Sequence, residues 1–322
     1  MTHSSAPGKI ILFGEHAVVY GRPALAVPVT QVHVDVDVTD SSRAGIWIHA
    51  PSVDLHEELT SLPSDHPVAS VIHNLFFLTR TLPSPPAPPP ITGEGRFPNL
   101  EINITSSIPV AAGLGSGAAV TVALTRALSA HLEYGMDDEQ INAFAYEIEK
   151  LHHGTPSGID NTVITYARPV YFVRNQPIET LQVGAPFTIV IGDTGVSAPT
   201  KQSVGDVRIL WEANKGKWEQ VFNNVMEVVR LARERIETGD WRLLGGLMNQ
   251  NHELLQEMTV SSAELDALVN AARSAGALGA KLSGGGRGGN MIALVEKENA
   301  AAVAEALISA GAKRAWATEV GD

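Results

Sequence analysis

Apolar residues recur along the chain with two distinct periods. Val32, Val34, Val36 and Val38 alternate with polar residues, the period of two that a half-buried strand requires. Continuous or alternating apolar runs predict further strands at Lys9–Gly14 (KIILFG), Ala24–Val29, Ile46–His49, Glu101–Ile104 and Val170–Val173. Helical patterning predicts helices at 68–82, 118–131 and 137–150, and the stretch LPSPPAPPP at 82–90 ends the first of them in an extended loop. Pro156 and Gly158 impose a loop before the apolar stretch Thr162–Tyr166, and the turn-rich segment 175–186 divides the chain, near residue 180, into domains 1–180 and 181–322. The second half is mainly helical, with helices predicted at 203–213, 217–237, 240–256 and 261–274. Gly279–Leu282 then runs into a glycine-rich turn, followed by strand 291–295, helix 300–309 and strand 314–319. Helices and strands in both halves predict an α/β or α+β arrangement.

Composition narrows the function. The 322 residues carry a net charge of −12, which repels a polyanionic backbone and argues against nucleic acid as a partner. A small phosphorylated ligand held by backbone amides remains compatible with it. The absence of cysteine excludes disulfides, thiolate nucleophiles and thiolate metal sites, and the eleven histidines show no metalloprotease spacing. Any metal is therefore a hard ion on oxygen ligands, such as magnesium. No apolar run approaches the ~20 residues of a bilayer span, and the first residues lack a signal peptide's pattern. The expectation is a soluble, cytoplasmic protein with no membrane partner.

Two glycine-rich segments carry the strongest chemical signal. In PVAAGLGSGAA (109–119), Gly113, Gly115 and Gly117 surround Ser116 directly before a predicted helix. Converging amides and a helix start there would cradle a phosphate; the competing reading is a flexible helix-entry turn. In KLSGGGRGGN (281–290), five glycines lie between 284 and 289, and Ser283 with the amides could hold a phosphate or form a loose loop. Lys281 reads equally well as a structural surface residue. Glu149, near a helix end, suits magnesium or plain solvent exposure, while Asp160 suits an attacking hydroxyl or a helix cap. His153 is either a cap or a substrate contact. Lys9, Glu15 and His16 flank one strand and meet at a site if the chain turns sharply at Gly14. Asp193, Thr194, Ser197, Thr200 and Lys201 form a polar loop whose ligand stays open.

Four ordered segments now resemble one superfamily. KIILFGEHAVVYGRPALA (9–26), PVAAGLGSGAAVTVA (109–123), HGTPSGIDN (153–161) and KLSGGGRGGNMIA (281–293) are similar to the motifs of the GHMP small-molecule kinases. The first is similar, more narrowly, to the mevalonate kinases. The resemblance implies an α+β two-domain fold, with an N-terminal domain like ribosomal protein S5 domain 2 and a ferredoxin-like C-terminal domain. It implies ATP-dependent phosphorylation of the C5 hydroxyl of (R)-mevalonate to 5-phosphomevalonate, and a homodimer. On this resemblance ATP lies against Gly113, Leu114, Gly115, Ser116, Gly117, Ala118 and Ala119, with Ser283 and Gly284. Glu149 and Ser116 hold Mg²⁺, and Asp160 with Lys9 carries catalysis. Lys9, Glu15, His16, His153, Asp160, Thr200 and Gly285 face the substrate.

Three residues depart from the family pattern. Gly117 stands where GLGSSAA has a serine, Gly285 where TGAGGGG has alanine, and Arg287 interrupts the glycine run. Arg287 reaches a phosphate, binds a carboxylate or points outward; the residues alone leave all three open.

Overall fold

The computed structural model describes residues 1–79, 97–109, 113–153, 156–177, 179–197 and 200–321. The proline-rich loop expected at 82–90 lies outside them. Two compact units interleave along the chain: Met1–Gly8, Thr30–Pro109 and Gly115–Ala167 form the first, and Lys9–Val29, Val110–Leu114 and Arg168–Asp322 the second.

Strand β1 (Thr2–Phe13) and strand β2 (Ala24–Asp40) each run through both units. Within the first unit follow β3 (Ile46–Ala50), β4 (Leu55–Glu58), helix α1 (Pro67–Thr79), β5 (Leu100–Ser106), α2 (Ser116–His131), α3 (Asp138–His153) and α4 (Ile159–Tyr166). The later residues of β2, Val34–Asp40, pair antiparallel with β5; β5 pairs in parallel with β3, and β3 antiparallel with β4. The alternating valines Val34, Val36 and Val38 are fully buried, as are Ile48 and Ile102. Burial of each such side chain contributes about 1.5–3 kcal/mol, opposed by the entropy of ordering. The helices pack around α2, which meets α1, α3 and α4.

Two expectations change here. The strands predicted at Ala24–Val29 and Val32–Val38 are one continuous strand, because each end has its own partner. Ala24–Ala26 pair with β6 (Val170–Phe172) in the second unit, whereas Val34–Asp40 pair with β5. The polar Thr30-Gln31 step between them is carried through. The loop around Pro156 stops at Gly158, in the left-handed region at φ 88, and Asp160 falls within the first turn of α4. Strand β4, LHEE, has no apolar alternation to announce it.

After β6 and the short β7 (Glu179–Thr180), the second unit builds a four-stranded antiparallel sheet. Its strands are β8 (Phe187–Asp193), β9 (Gly279–Ser283), β10 (Asn290–Val295) and β11 (Arg314–Val320), in the order β11-β8-β10-β9. All residues of β8, β9 and β10 are buried. Helices α5 (Thr200–Ala213), α6 (Lys215–Thr238), α7 (Leu244–Glu257), α8 (Ala263–Ser274) and α9 (Ala300–Ser309) complete the unit. Helices α7 and α8 pack on β9, and α9 on β8 and β11. Pairing of Ser283 with Asn290 makes residues 284–289 the loop of a hairpin. A mainly antiparallel first sheet, with one parallel pair between β3 and β5, and a fully antiparallel second sheet, each with its own helices, make the fold α+β. Among the described residues, no helix is long and apolar enough to cross a membrane.

Candidate active site

In the first unit, Gly115 at φ 73 redirects the chain into α2, and no side chain caps that helix. Ala119 donates its amide to the Gly115 carbonyl at 2.9 Å, leaving the amides of Ser116, Gly117 and Ala118 at the positions where a helix has no acceptor of its own. Those donors and the positive end of the helix dipole suit a phosphate. Ala118 and Ala119 are buried and seat the turn on the core. Glu149 of α3 lies alongside: a Cβ placed on Gly117 would stand 4.0 Å from its Oε1. An anion-binding turn beside a carboxylate is a donor set for a cation that bridges the two. Among the described residues no group of three or more His, Asp or Glu could hold a metal. A single carboxylate beside backbone amides is compatible with Mg²⁺, which takes one or two protein carboxylates and would complete its shell with phosphate oxygens and water.

Asp160 sits half-buried in the first turn of α4. Its helix is tied to α3 by Asn161, whose Nδ2 donates to Asn142 Oδ1 at 2.6 Å. The packing of α3 against α4, and of both against α2, thus fixes the helices that carry Glu149 and Asp160 relative to α2. His153 closes α3, and its side chain lies outside the described residues.

The second unit carries Lys9, Gly113, Leu114, Glu15, His16, Thr200, Ser283, Gly284 and Gly285. Lys9 is buried within β1; its amide donates to Leu114 O at 3.0 Å and its Nζ to Gly113 O at 3.3 Å. The chain does turn sharply at Gly14. Its φ is 98, and a Cβ there would meet the Pro23 carbonyl at 2.5 Å, so only glycine fits.

Beyond that turn Glu15 and His16 are both buried. His16 donates Nε2–H to the Gly285 carbonyl at 3.1 Å. Burial pushes its pKa down to about 4 against the opposing pull of that carbonyl, with the Arg287 and Lys281 charges adding to the fall. The ring is therefore neutral near pH 7, and with Nε2 carrying the proton, Nδ1 is an acceptor. Neither His16 Nδ1 nor Glu15 Oε2 has a hydrogen-bond partner among the described residues. Two adjacent residues thus present buried acceptors suited to the hydroxyl groups of a ligand.

Lys281 corrects the reading of it as a surface residue. It is fully buried in β9, and its Nζ donates to the Glu15 carboxylate and, at 2.6 Å, to the Leu282 carbonyl. Burial pulls its pKa below the ordinary lysine value, and Glu15 opposes that shift. The strand sequence GAKLS carries no local signal that separates a buried lysine from a surface one. Ser283 donates its hydroxyl to Ile11 O at 2.8 Å, joining β9 to β1. Gly284, at φ 85, has open space on its Cβ side.

Sequence reasoning also missed how residues 17–22 are held. Tyr20 stacks on Phe222 of α6 with ring centroids 4.2 Å apart. Arg22 donates to the Tyr20 carbonyl at 2.7 Å and to Asn223 and Glu219, both on α6. Of the three readings of Arg287, the carboxylate is the one found: its guanidinium donates to Asp206 of α5 and, at 3.3 Å, to Thr259 O. It does so from a left-handed backbone, φ 58, a conformation that costs a side-chain-bearing residue roughly 1–2 kcal/mol.

Comparison with known proteins agrees with this arrangement. The family model described as GHMP kinases N terminal domain matches residues 90–168, and that described as GHMP kinases C terminal matches residues 232–313. The mevalonate kinase of Pyrococcus abyssi is 37% identical over 302 residues, covering 90% of this chain and 88% of that protein. The mevalonate kinase of Thermococcus gammatolerans is 36% identical over 322 residues, covering 96% and 93%. The crystal structure of L. major mevalonate kinase in complex with R-mevalonate superposes with a TM-score of 0.84 at 28% identity, covering 99% of this chain and 96% of that one. With both GHMP kinase family models matched and this extent of identity over nine-tenths or more of its length, the chain belongs to the mevalonate kinase family of the GHMP kinases.

Proposed function

We propose that this protein transfers the γ-phosphoryl group of ATP to the C5 hydroxyl of (R)-mevalonate, giving 5-phosphomevalonate and ADP. The observation that carries the reading is the kinship with mevalonate kinases along nine-tenths of the chain. The grouping of Gly115–Ala119, Glu149 and Asp160 around α2, α3 and α4 supports it. In this reading the amides of 116–118 and the loop residues Gly113 and Leu114 hold the triphosphate, with Ser283 and Gly284 assisting. Glu149, with the Ser116 hydroxyl, holds magnesium, which when bound neutralises phosphate charge.

Asp160 accepts the C5 hydroxyl proton or orients that hydroxyl for attack, and Lys9 supplies positive charge for the transition state. Glu15 and His16 accept hydrogen bonds from the substrate, and Thr200, Gly285 and His153 complete its surroundings. Domains 1–180 and 181–322 are the family's N- and C-terminal domains in this proposal; each family-model match falls wholly within one of them. The family resemblance favours a homodimer.

Product analysis with ATP and a panel of mevalonate, phosphomevalonate and other small alcohols tests the proposal. Mevalonate should yield ADP and 5-phosphomevalonate in equal amounts; turnover of phosphomevalonate with none of mevalonate would overturn it. Glu149→Gln keeps the side chain's size and removes its charge. It should raise the magnesium concentration for half-maximal turnover by about tenfold, the weight of one charged contact, while metal-free ATP binding stays within about twofold. An unchanged magnesium titration would remove Glu149 from the metal site.

A further inference from the structure

The loop 284–289 is fastened on both sides by backbone. Arg287 N–H donates to Val260 O at 2.8 Å, Gly289 N–H to Val196 O at 2.9 Å, and Thr194 N–H to Gly289 O at 2.9 Å. A Cβ on Gly286 would overlap the Val260 carbonyl, and one on Gly288 would meet Val196 O at 2.5 Å, so those glycines are explained by close backbone approach. Gly284 and Gly289 have open space on their Cβ side but sit at positive φ, 85 and 70. The remaining two positions need another explanation. Gly285 lacks a positive φ, and a Cβ there would meet not backbone but Thr200 Oγ1, at 2.8 Å. Arg287 is the one side-chain-bearing residue of the loop and is held left-handed. Both point to the same partner, since Thr200 begins α5 and Asp206, bound by Arg287, lies further along it.

We propose that Gly285 and Arg287 together dock the start of α5 onto this loop, so that Arg287 and Asp206 are positioning residues for Thr200 and for the Gly285 carbonyl that His16 binds. The missing methyl at 285 lets Thr200 close on the loop, and the Arg287–Asp206 pair holds the helix there. Arg287 also donates Nε–H to Thr259 O, so one guanidinium joins three segments: the hairpin loop, α5 and the turn after α7. Its side chain is held by these protein groups. The proposal rests on the mevalonate kinase reading for its substrate.

The test is a double-mutant cycle in the full chain with Arg287→Ala, Asp206→Asn and the pair. Alanine retains the Cβ and the backbone strain and removes the side chain beyond it, the guanidinium included. Each single change should raise KM for mevalonate about three- to fivefold, as expected for a partly exposed charge-assisted pair. The double variant should be no worse than the weaker single, and KM for ATP should stay within about twofold. Gly285→Ala, which pushes Thr200 outward, should raise the same KM. Hydrogen exchange of the free proteins reads the docking without substrate: segments 200–206 and 284–289 should exchange about three- to fivefold faster in each variant.

Additive effects, an equal rise for ATP, or parent-like KM and exchange in both single variants would overturn the proposal. A parent that does not phosphorylate mevalonate would fail the functional reading alone, and the exchange measurement would then decide the docking by itself. Asp206, on a partly exposed helix face, keeps the test open should Arg287→Ala not fold.

Discussion

Asp160→Asn is expected to lower kcat for mevalonate phosphorylation by about 10²–10⁴-fold, the range for a positioned acid–base group, equivalent to roughly 3–5 kcal/mol of transition-state stabilisation. The substitution keeps the side chain's shape in the first turn of α4, so the neighbouring ties of Asn161 and Thr162 to Asn142 and Gly158 are retained. What it removes is the charge that can take or orient a proton. Lys9→Met should produce a loss of the same order, since an amine next to transferred charge acts mainly in the transition state. Both variants should bind ATP within about threefold of the parent, because binding that is uniform in ground and transition states is not what they lose. Turnover close to the parent's in both variants would remove these two residues from the chemical step.

Lys281→Met should give the largest loss of stability. Lys281 and Glu15 are both essentially inaccessible to solvent, and the substitution leaves the Glu15 carboxylate buried without its cation. Breaking such a pair from one side typically costs about 3–5 kcal/mol. The stranded carboxyl can instead take up a proton, which at pH 7 costs about 3.7 kcal/mol for an ordinary glutamate. The defect should therefore shrink as the pH falls towards 5, where that uptake costs only about 1 kcal/mol. The double variant Glu15→Gln, Lys281→Met should recover most of the stability, since it leaves no buried charge. Denaturant unfolding at pH 7.5 and 5.5 measures both effects. A single variant as stable as the parent, or a defect that grows in acid, would show that the pair carries no such burden.

Much of this molecule is legible from local pattern. The alternating valines of β2, the helices α2, α3, α6, α8 and α9, and the glycine turn into α2 follow from periods and glycine positions within a few residues of one another. So does the sharp turn at Gly14, because a positive φ and a close approach leave their mark as glycine. The acids Glu149 and Asp160 were identifiable as candidates, but their spacing of eleven residues said nothing about where they lie. Helix packing supplied that, by bringing α3 and α4 onto α2.

The amino-acid sequence by itself determined a division into two halves that each mix helices and strands, and the order of the four motifs, whose family resemblance selected the α+β class. Only the tertiary structure decided the roles of Lys281 and Arg287. Lys281 meets Glu15 across 266 residues of chain and Arg287 meets Asp206 across 81. A lysine in a strand and an arginine in a glycine loop have the same local signature whether they face solvent or a carboxylate. The difference lies in desolvation and in a partner brought from elsewhere in the fold, and neither is a property of the neighbouring residues. The unbroken course of β2 was decided in the same way, by separate partners at its two ends that carry the strand across Thr30 and Gln31.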